Sequence, residues 1–471
     1  MSKETKHKVN RRDFIKTTGL AAAAVATPGL SSADGSSTSS VYDVAIIGGG
    51  FCGVTAAREC MKNGYKTVLV EASNRLGGRT FTTDFDGRAT DLGGTWVHWT
   101  QPYVWSEIMR YGLPMEQTPG AAAAKMIARR SDGDIQEVDL TAHWDKLELA
   151  AAKYMGETRE IFPEPFSPFA SDAYKKIDGI SSAERLQSLA GMDGLDRDIL
   201  DGFFSTLTGN YHKEAAWIEM VRCYALSGRT LADLNDSISR YKFRDGTVAL
   251  INAMIADSKP EVRLGTPIEK VSQQKNNVVI LTEDGDEIVA KTVISAVPMN
   301  VLEDIDWSPK LSANKLAASA EKHAGNCTKV HVLLKGDHGV IGCLAPSDNP
   351  LNWLFTEHVG HGTTHMIGFG PDPETLDVND TAQVQAAVRR FLPDAEVVKS
   401  VGYQWGYDPF IQGTWAIYRP GQYSKYLKDL QASEGRVVFG NADWASGYRG
   451  FIDGAIEQGI FAAREVNKIL S

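Results

Sequence analysis

Six residues, Gly48-Gly49-Gly50-Phe51-Cys52-Gly53, spell GxGxxG, and an acid, Glu71, stands 23 positions after Gly48. In such a run the first glycine permits a tight turn, the second lets the backbone approach a pyrophosphate, and the third lets a helix pack closely. The N-terminus of that helix offers unpaired N–H groups to phosphate oxygens, and an acid placed like Glu71 accepts ribose hydroxyls. Gly48, Gly50, Gly53 and Glu71 are therefore candidate ligands of a dinucleotide, FAD or NAD. Immediately after them, Arg75-Leu76-Gly77-Gly78-Arg79-Thr80 forms a basic turn with paired glycines. Its natural role is a second loop facing phosphate, which an NAD dehydrogenase does not need.

For this chemistry the run must join a strand to a helix. Residues 41–47 are rich in Val and Ile, as in a parallel strand covered on both faces. The pattern predicts a helix over 51–63, closed by Gly64, and a second strand over 66–71, which completes a β-α-β unit. From 121 to 241 the pattern is mainly helical, with proline-rich breaks over 162–168, and reads as an inserted domain. A helix over 247–256, strand character over 261–273, a hairpin turning at Asp284-Gly285 and a strand over 292–297 return to the nucleotide domain. Strands with one helix over 382–391 follow, and a strand over 436–439 and a helix over 454–469 close the chain. The expected class is α/β.

The first forty residues differ from the rest. Basic residues run to Lys16, then come the apolar stretch 19–25, Pro28, Gly29 and a Ser-rich stretch to Ser40, the layout of an export signal and linker. Arg11-Arg12-Asp13-Phe14-Ile15-Lys16 resembles a bacterial twin-arginine signal, with Asn10 where Ser or Thr is usual. That resemblance implies a periplasmic protein exported folded, with its cofactor already aboard. Residues 17–30 fall short of the roughly 20 apolar residues that span a bilayer, so no membrane helix is expected. The net charge of -10 becomes more negative without residues 1–33, and this argues against nucleic acid. Five cysteines without a CxxC pair indicate neither a disulfide framework nor a metal site. With 471 residues, 43% of them hydrophobic, the chain can build two domains.

The run from Glu71 to Thr82 resembles the ExxxRxGGRxxT-like signature of the flavin-containing amine oxidase family, the relatives of monoamine oxidase. Asp91-Leu92-Gly93-Gly94-Thr95-Trp96, Ala296-Val297-Pro298 and residues 439–459 extend the resemblance over nearly the whole chain from Val41. It implies a Rossmann-like FAD-binding domain of the glutathione-reductase type, made of 41–120, 242–300 and 431–471. An inserted α+β substrate domain would comprise 121–241 and 301–430, with 1–40 as signal and linker. The cofactor implied is FAD, contacted also by Arg75, Gly78, Arg79, Gly94, Thr95, Trp96, Ile268 and Asp443. Asn441 stands where the family usually has glycine. Thr414 replaces the cysteine that attaches the flavin covalently in some members, so FAD is expected to be non-covalent.

The same resemblance makes Lys329 the lysine that approaches flavin N5 through a water, and Trp415 and Phe451 the two rings that flank the amine. Trp96, His98, Trp99 and Trp353 fall near positions that line the substrate cavity, with Trp99 and Trp353 as pocket residues and His98 as readily a structural hydrogen-bonding group. Two rings across the flavin face leave a narrow slot that excludes water and holds the amine nitrogen. The reaction implied is hydride transfer from the carbon alpha to nitrogen to flavin N5, giving an imine that hydrolyses to an aldehyde plus amine or ammonia. Dioxygen or a carrier protein would take the electrons. Within the family, 93–105, 413–422 and 449–459 are most similar to bacterial oxidases of nicotine breakdown, which implies a small-molecule alkaloid amine such as pseudooxynicotine. An L-amino-acid oxidase is the rival enzyme, but that branch carries arginine just after the double glycine, where Thr95-Trp96 stand. A non-catalytic FAD-binding scaffold is the rival from another class. Oligomeric state is not legible, and a homodimer is the working assembly.

Overall fold

The computed structural model describes residues 41–471. The expected export signal and linker lie outside the described residues.

β1 (Tyr42–Ile47) is buried on both faces, as its Val and Ile content requires, and lies between two parallel neighbours. α1 (Phe51–Lys62) follows the glycine turn, its N-cap Gly50 has no side-chain cap, and no acid stands in its first turn. β2 (Thr67–Val70) completes the unit, with Ile46 of β1 opposite Leu69. On the other side of β1 runs β3 (Glu287–Ser295), which pairs in parallel with both β1 and Val437–Phe439. The eight-stranded sheet has the order Glu261–Arg263, β2, β1, β3, Val278–Thr282, Ile268–Gln273, Asp306–Ser308, with Val437–Phe439 as the eighth strand branching off at β3. Residues 261–273 are thus two strands, separated by a turn at Gly265 with φ 61°. The first sheet also takes in Asp306–Ser308, beyond residue 300.

The intervening chain builds a second, seven-stranded sheet. Its order is Val397–Gly402, β4 (Thr328–Lys335), Thr363–Gly370, Trp353–Gly360, Ile341–Leu344, Lys125–Arg129, Ile135–Asp139. The segment expected to be mainly helical therefore opens with a β-hairpin. Ile135–Asp139 is the edge strand, with only Val138 buried, so it lacks the alternation by which a strand is recognised. Beyond it the expectation holds: Leu140–Met155 and Gly194–Thr208 are helices packed against this layer, and α2 (Trp217–Ser227) is a helix packed on both of them. The chain ends in α3 (Ile452–Leu470), which crosses α1 so closely that a Cβ on Gly459 would lie 2.5 Å from the carbonyl oxygen of Cys52. Among the described residues no helix is long and apolar enough to cross a membrane.

Candidate active site

The two glycine turns of the sequence meet backbone to backbone. Gly48 has φ 107°, a conformation that favours glycine, and its N–H donates to Val70 O at 2.8 Å. Gly77 N donates to Gly49 O at 2.9 Å, and a Cβ on Gly78 would stand 3.2 Å from Gly50 Cα. A Cβ on Gly53 would fall 1.9 Å from Gly48 O. Side chains are thereby kept off a surface onto which the N-terminus of α1 opens.

Glu71 stands beside this surface, its Oε2 accepting from Gly49 N at 2.6 Å and its Oε1 from Ser73 N at 2.8 Å. Gly265 N and Thr266 N bond to Ser73 O and Glu71 O, so buried Ile268 begins its strand next to Glu71. Arg75 turns inward, donating to Thr80 O and Gly78 O at 2.9 Å each, with its guanidinium 4.4 Å from the Phe81 ring. It braces the second turn. Arg79 reaches across the molecule to Thr414 O (2.8 Å), Asn441 Oδ1 (3.0 Å) and Asp443 Oδ1 (2.5 Å). Asp443 is fully buried. Its Oδ2 accepts from Met299 N, while its Oδ1 has the Arg79 ion pair and no aligned hydrogen bond. Asn441 has extended backbone (φ -158°) that any residue adopts, and its carboxamide donates to Ala296 O and accepts from Asp443 N. A bare N–H cradle, an uncapped helix start, an acid for ribose and a buried acid with spare acceptor capacity fit the phosphates and polyol groups of FAD.

Lys329, on β4, ends against the loop that follows the second turn. Its Nζ donates to Asp91 O (2.7 Å), Gly93 O (2.8 Å) and Thr95 Oγ1 (2.6 Å), and lies 4.9 Å from the Trp96 ring. Burial lowers its pKa to about 7, with Asp91 opposing the shift and Lys242 adding to it. His331, two residues on along β4, bonds to Asp91 O at 3.0 Å and to His365 Nε2 at 3.1 Å. Burial pushes His331 well below the ordinary histidine range. Neutral, it donates from Nε2 to the carbonyl and accepts at Nδ1. Trp405, which the motifs did not single out, donates to Leu92 O at 3.0 Å, and a Cβ on Gly93 would meet its ring at 2.7 Å.

Beside this loop lies an aromatic wall. Trp96 packs on Phe355 (5.7 Å) and Phe369 (6.0 Å), Phe369 meets Trp415 edge-on (6.3 Å), and Trp353 contacts Phe355, Phe369 and Phe203. Trp415 is fixed by a bond from its Nε1 to Leu207 O at 3.0 Å. A Cβ on Gly450 would be 3.4 Å from Trp415 Cβ, half-buried Phe451 follows Gly450 in the chain with its ring 5.4 Å from that of Tyr448, and a Cβ on Gly94 would be 3.9 Å from Ile452 Cδ1. Phe203, Phe355 and Phe369 escaped the motif reading. The signal was the register: Trp353 pairs with Phe369, and Phe355 is two residues on, on the same face. Trp99 does not join the wall. The residue is 49% exposed, and its ring contacts His98, Tyr241 and Trp105. His98 is a structural link, bonded to Asp236 and Thr100 at 2.9 Å each, and burial lowers its pKa.

The chain resembles known proteins over nearly its whole length. Residues 51–467 match the sequence profile of the flavin containing amine oxidoreductases, and residues 8–28 match that of the twin-arginine translocation signal. A pseudooxynicotine dehydrogenase of Pseudomonas sp is 42% identical over 97% of this chain and 95% of its own length. A nicotine dehydrogenase of Pseudomonas putida (strain DSM 28022 / S16) is 36% identical over 99% of both chains. Among solved structures, wild-type putrescine oxidase bound to putrescine superimposes with a TM-score of 0.78, at 20% identity, covering 91% of this chain and 99% of that one. With a profile match from α1 almost to the C-terminus and relatives alike over their full length, the chain belongs to the flavin-containing amine oxidoreductase family and is an FAD-dependent amine oxidase.

Proposed function

We propose that this enzyme oxidises an alkaloid amine, pseudooxynicotine or a close chemical relative, in the periplasm after twin-arginine export. When bound, FAD supplies the oxidising chemistry, a hydride passing from the carbon alpha to nitrogen to N5 and the imine then hydrolysing to an aldehyde plus amine or ammonia. Gly48, Gly50, Gly53, Glu71, Gly78, Arg79 and Asp443 would hold it. Thr414 offers no thiol for a covalent link, which supports a non-covalent cofactor.

The observation that carries the reading is Lys329 drawn up against the 91–95 loop beside an aromatic wall. By excluding water, the packed rings of Trp96, Trp353, Phe355, Phe369 and Trp415 leave an ammonium without its hydration, a loss larger than the attraction of a ring face for the charge. They favour the neutral base, whose nitrogen lone pair must assist departure of the α-hydride. Trp415 and Phe451 would hold that nitrogen in place. Lys329, with a pKa of about 7, can release and retake a proton at Nζ near neutral pH. The name and 42% identity of the pseudooxynicotine dehydrogenase support the choice of substrate.

The test is anaerobic addition of pseudooxynicotine, nicotine, simple primary amines and L-amino acids to the holoenzyme, reading the visible flavin absorbance. Bleaching by the alkaloid amines is expected. Bleaching by an L-amino acid alone would transfer the chain to the amino-acid oxidases, and no bleaching by any compound would leave an FAD-binding scaffold. Peroxide formed per amine consumed in air then separates dioxygen from a carrier protein as the electron acceptor.

A further inference from the structure

The loop that leads into Phe451 is held by a buried ionic cluster reaching it from the helical insert. On α2, Glu219 and Arg222 lie one turn apart, both with relative exposures of 1% or less. Glu219 Oε1 accepts from Arg449 Nη2 at 2.6 Å, and its Oε2 accepts from Arg449 Nε at 3.4 Å and Arg222 Nη2 at 3.3 Å. Arg222 in turn donates to Gly447 O at 2.5 Å and Arg449 O at 3.4 Å. From the opposite side, Glu457 of α3 accepts from Ser446 N at 2.8 Å and Gly447 N at 2.9 Å. The Arg449 guanidinium also lies 4.2 Å from the Tyr418 ring and 4.9 Å from the Tyr423 ring. Tyr448 donates to Leu226 O, and Gly450 N to Ala442 O. Residues 446–450 are all tied down before the chain enters α3 through its N-cap, Phe451.

Such a cluster is a poor way to stabilise a core, since well-packed apolar residues of similar volume often do as well or better. Its hydrogen bonds end on the backbone of residues 446–449, two to five positions before Phe451. Its output is loop geometry. We propose that Glu219 and Arg449 are positioning residues of the amine site: their pair fixes the 446–450 loop, hence the Phe451 ring that follows it and packs on Tyr448, so that amine affinity is set in part from α2. The inference rests on the role given to Phe451 above. Arg449 is suited to this by its planar fork, which meets both Glu219 oxygens while its face lies on two tyrosine rings, and lysine reproduces neither contact.

The test measures the dissociation constant of pseudooxynicotine from the concentration dependence of anaerobic flavin reduction, a quantity independent of the fraction of protein folded. Arg449→Lys is expected to weaken binding about tenfold, with bound FAD within about twofold of wild type. Because Arg449 acts through Phe451, Phe451→Ala/Arg449→Lys should bind no more weakly than Phe451→Ala alone. If Arg449→Lys does not fold, Arg449→Met, which leaves Glu219 paired with Arg222, is measured in its place with the same expectations. Unchanged affinity in the Arg449 variant, or additive losses in the combined variant, overturns the inference and leaves the proposed function standing. Unchanged affinity in Phe451→Ala overturns the inference together with the role given to Phe451.

Discussion

Lys329 is held by three acceptors that match the three donors of an ammonium group, yet burial brings its pKa to about 7 from an ordinary 10.5. Between those values the unfolded chain carries a proton that the folded chain has released, so this group makes stability rise with pH across that window. The lysine is most unfavourable to folding below pH 7 and least above 10.5. Lys329→Met should flatten the rise, so that its melting temperature relative to wild type falls between pH 7 and pH 9.5. The same variant should slow anaerobic flavin reduction at least about tenfold, the scale of a lost proton-handling group. Equal pH slopes in the two proteins would contradict the buried, half-charged state, and an unchanged reduction rate would contradict a role at the site. Nothing local marks this lysine: only the resemblance to the family singles it out, and its carbonyl partner Asp91 lies 238 positions earlier. Trp99 and Trp353 show the same limit. Both are tryptophans near expected positions, but only strand register, which pairs Trp353 with Phe369, puts one on the wall while the other meets solvent.

Elements whose function is local could be read directly. The β1-α1-β2 unit is specified by neighbouring residues, because a turn, a helix start and a strand are all decided within about 30 positions. Gly53→Ala should therefore damage the unit as a unit. Its methyl group would stand 1.9 Å from the Gly48 carbonyl oxygen, a backbone atom, and α1 must shift to admit it. A loss of about 1–3 kcal/mol of stability is expected, together with depressed FAD content after purification. Gly342→Ala is the matched control, since a Cβ there has nothing within 4 Å, and its effect should stay within about 0.5 kcal/mol. Equal melting temperatures and equal FAD content in the two variants would refute the close-packing argument for Gly53. The hairpin at 125–139 was not legible for the opposite reason. As the edge of a sheet, its last strand exposes four of its five residues and carries no alternating pattern of its own.

At the scale of the molecule, the first sheet could be inferred as segments returning to one domain, but the second could not. Ile341–Leu344 pairs with Lys125–Arg129 across more than two hundred positions, and no composition or periodicity signals that partner. One whole-chain property does follow from sequence and structure together. All five cysteines, Cys52, Cys60, Cys223, Cys327 and Cys343, are free and buried, and burial raises the pKa of each thiol, to about 12 at Cys60 and Cys327. A chain that needs no disulfide can complete its fold in a reducing compartment and bind FAD there, which suits a route that carries folded proteins. All five thiols should then react with a thiol reagent in denaturant and none in the native holoenzyme, and reductant should leave the melting temperature unchanged. A stabilising disulfide would be revealed by fewer than five reactive thiols. Replacing the signal pair as Arg11→Lys/Arg12→Lys should leave the protein in the cytoplasm with the same FAD per chain as the exported enzyme. Cofactor-free protein accumulating there instead would show that FAD is acquired only after export.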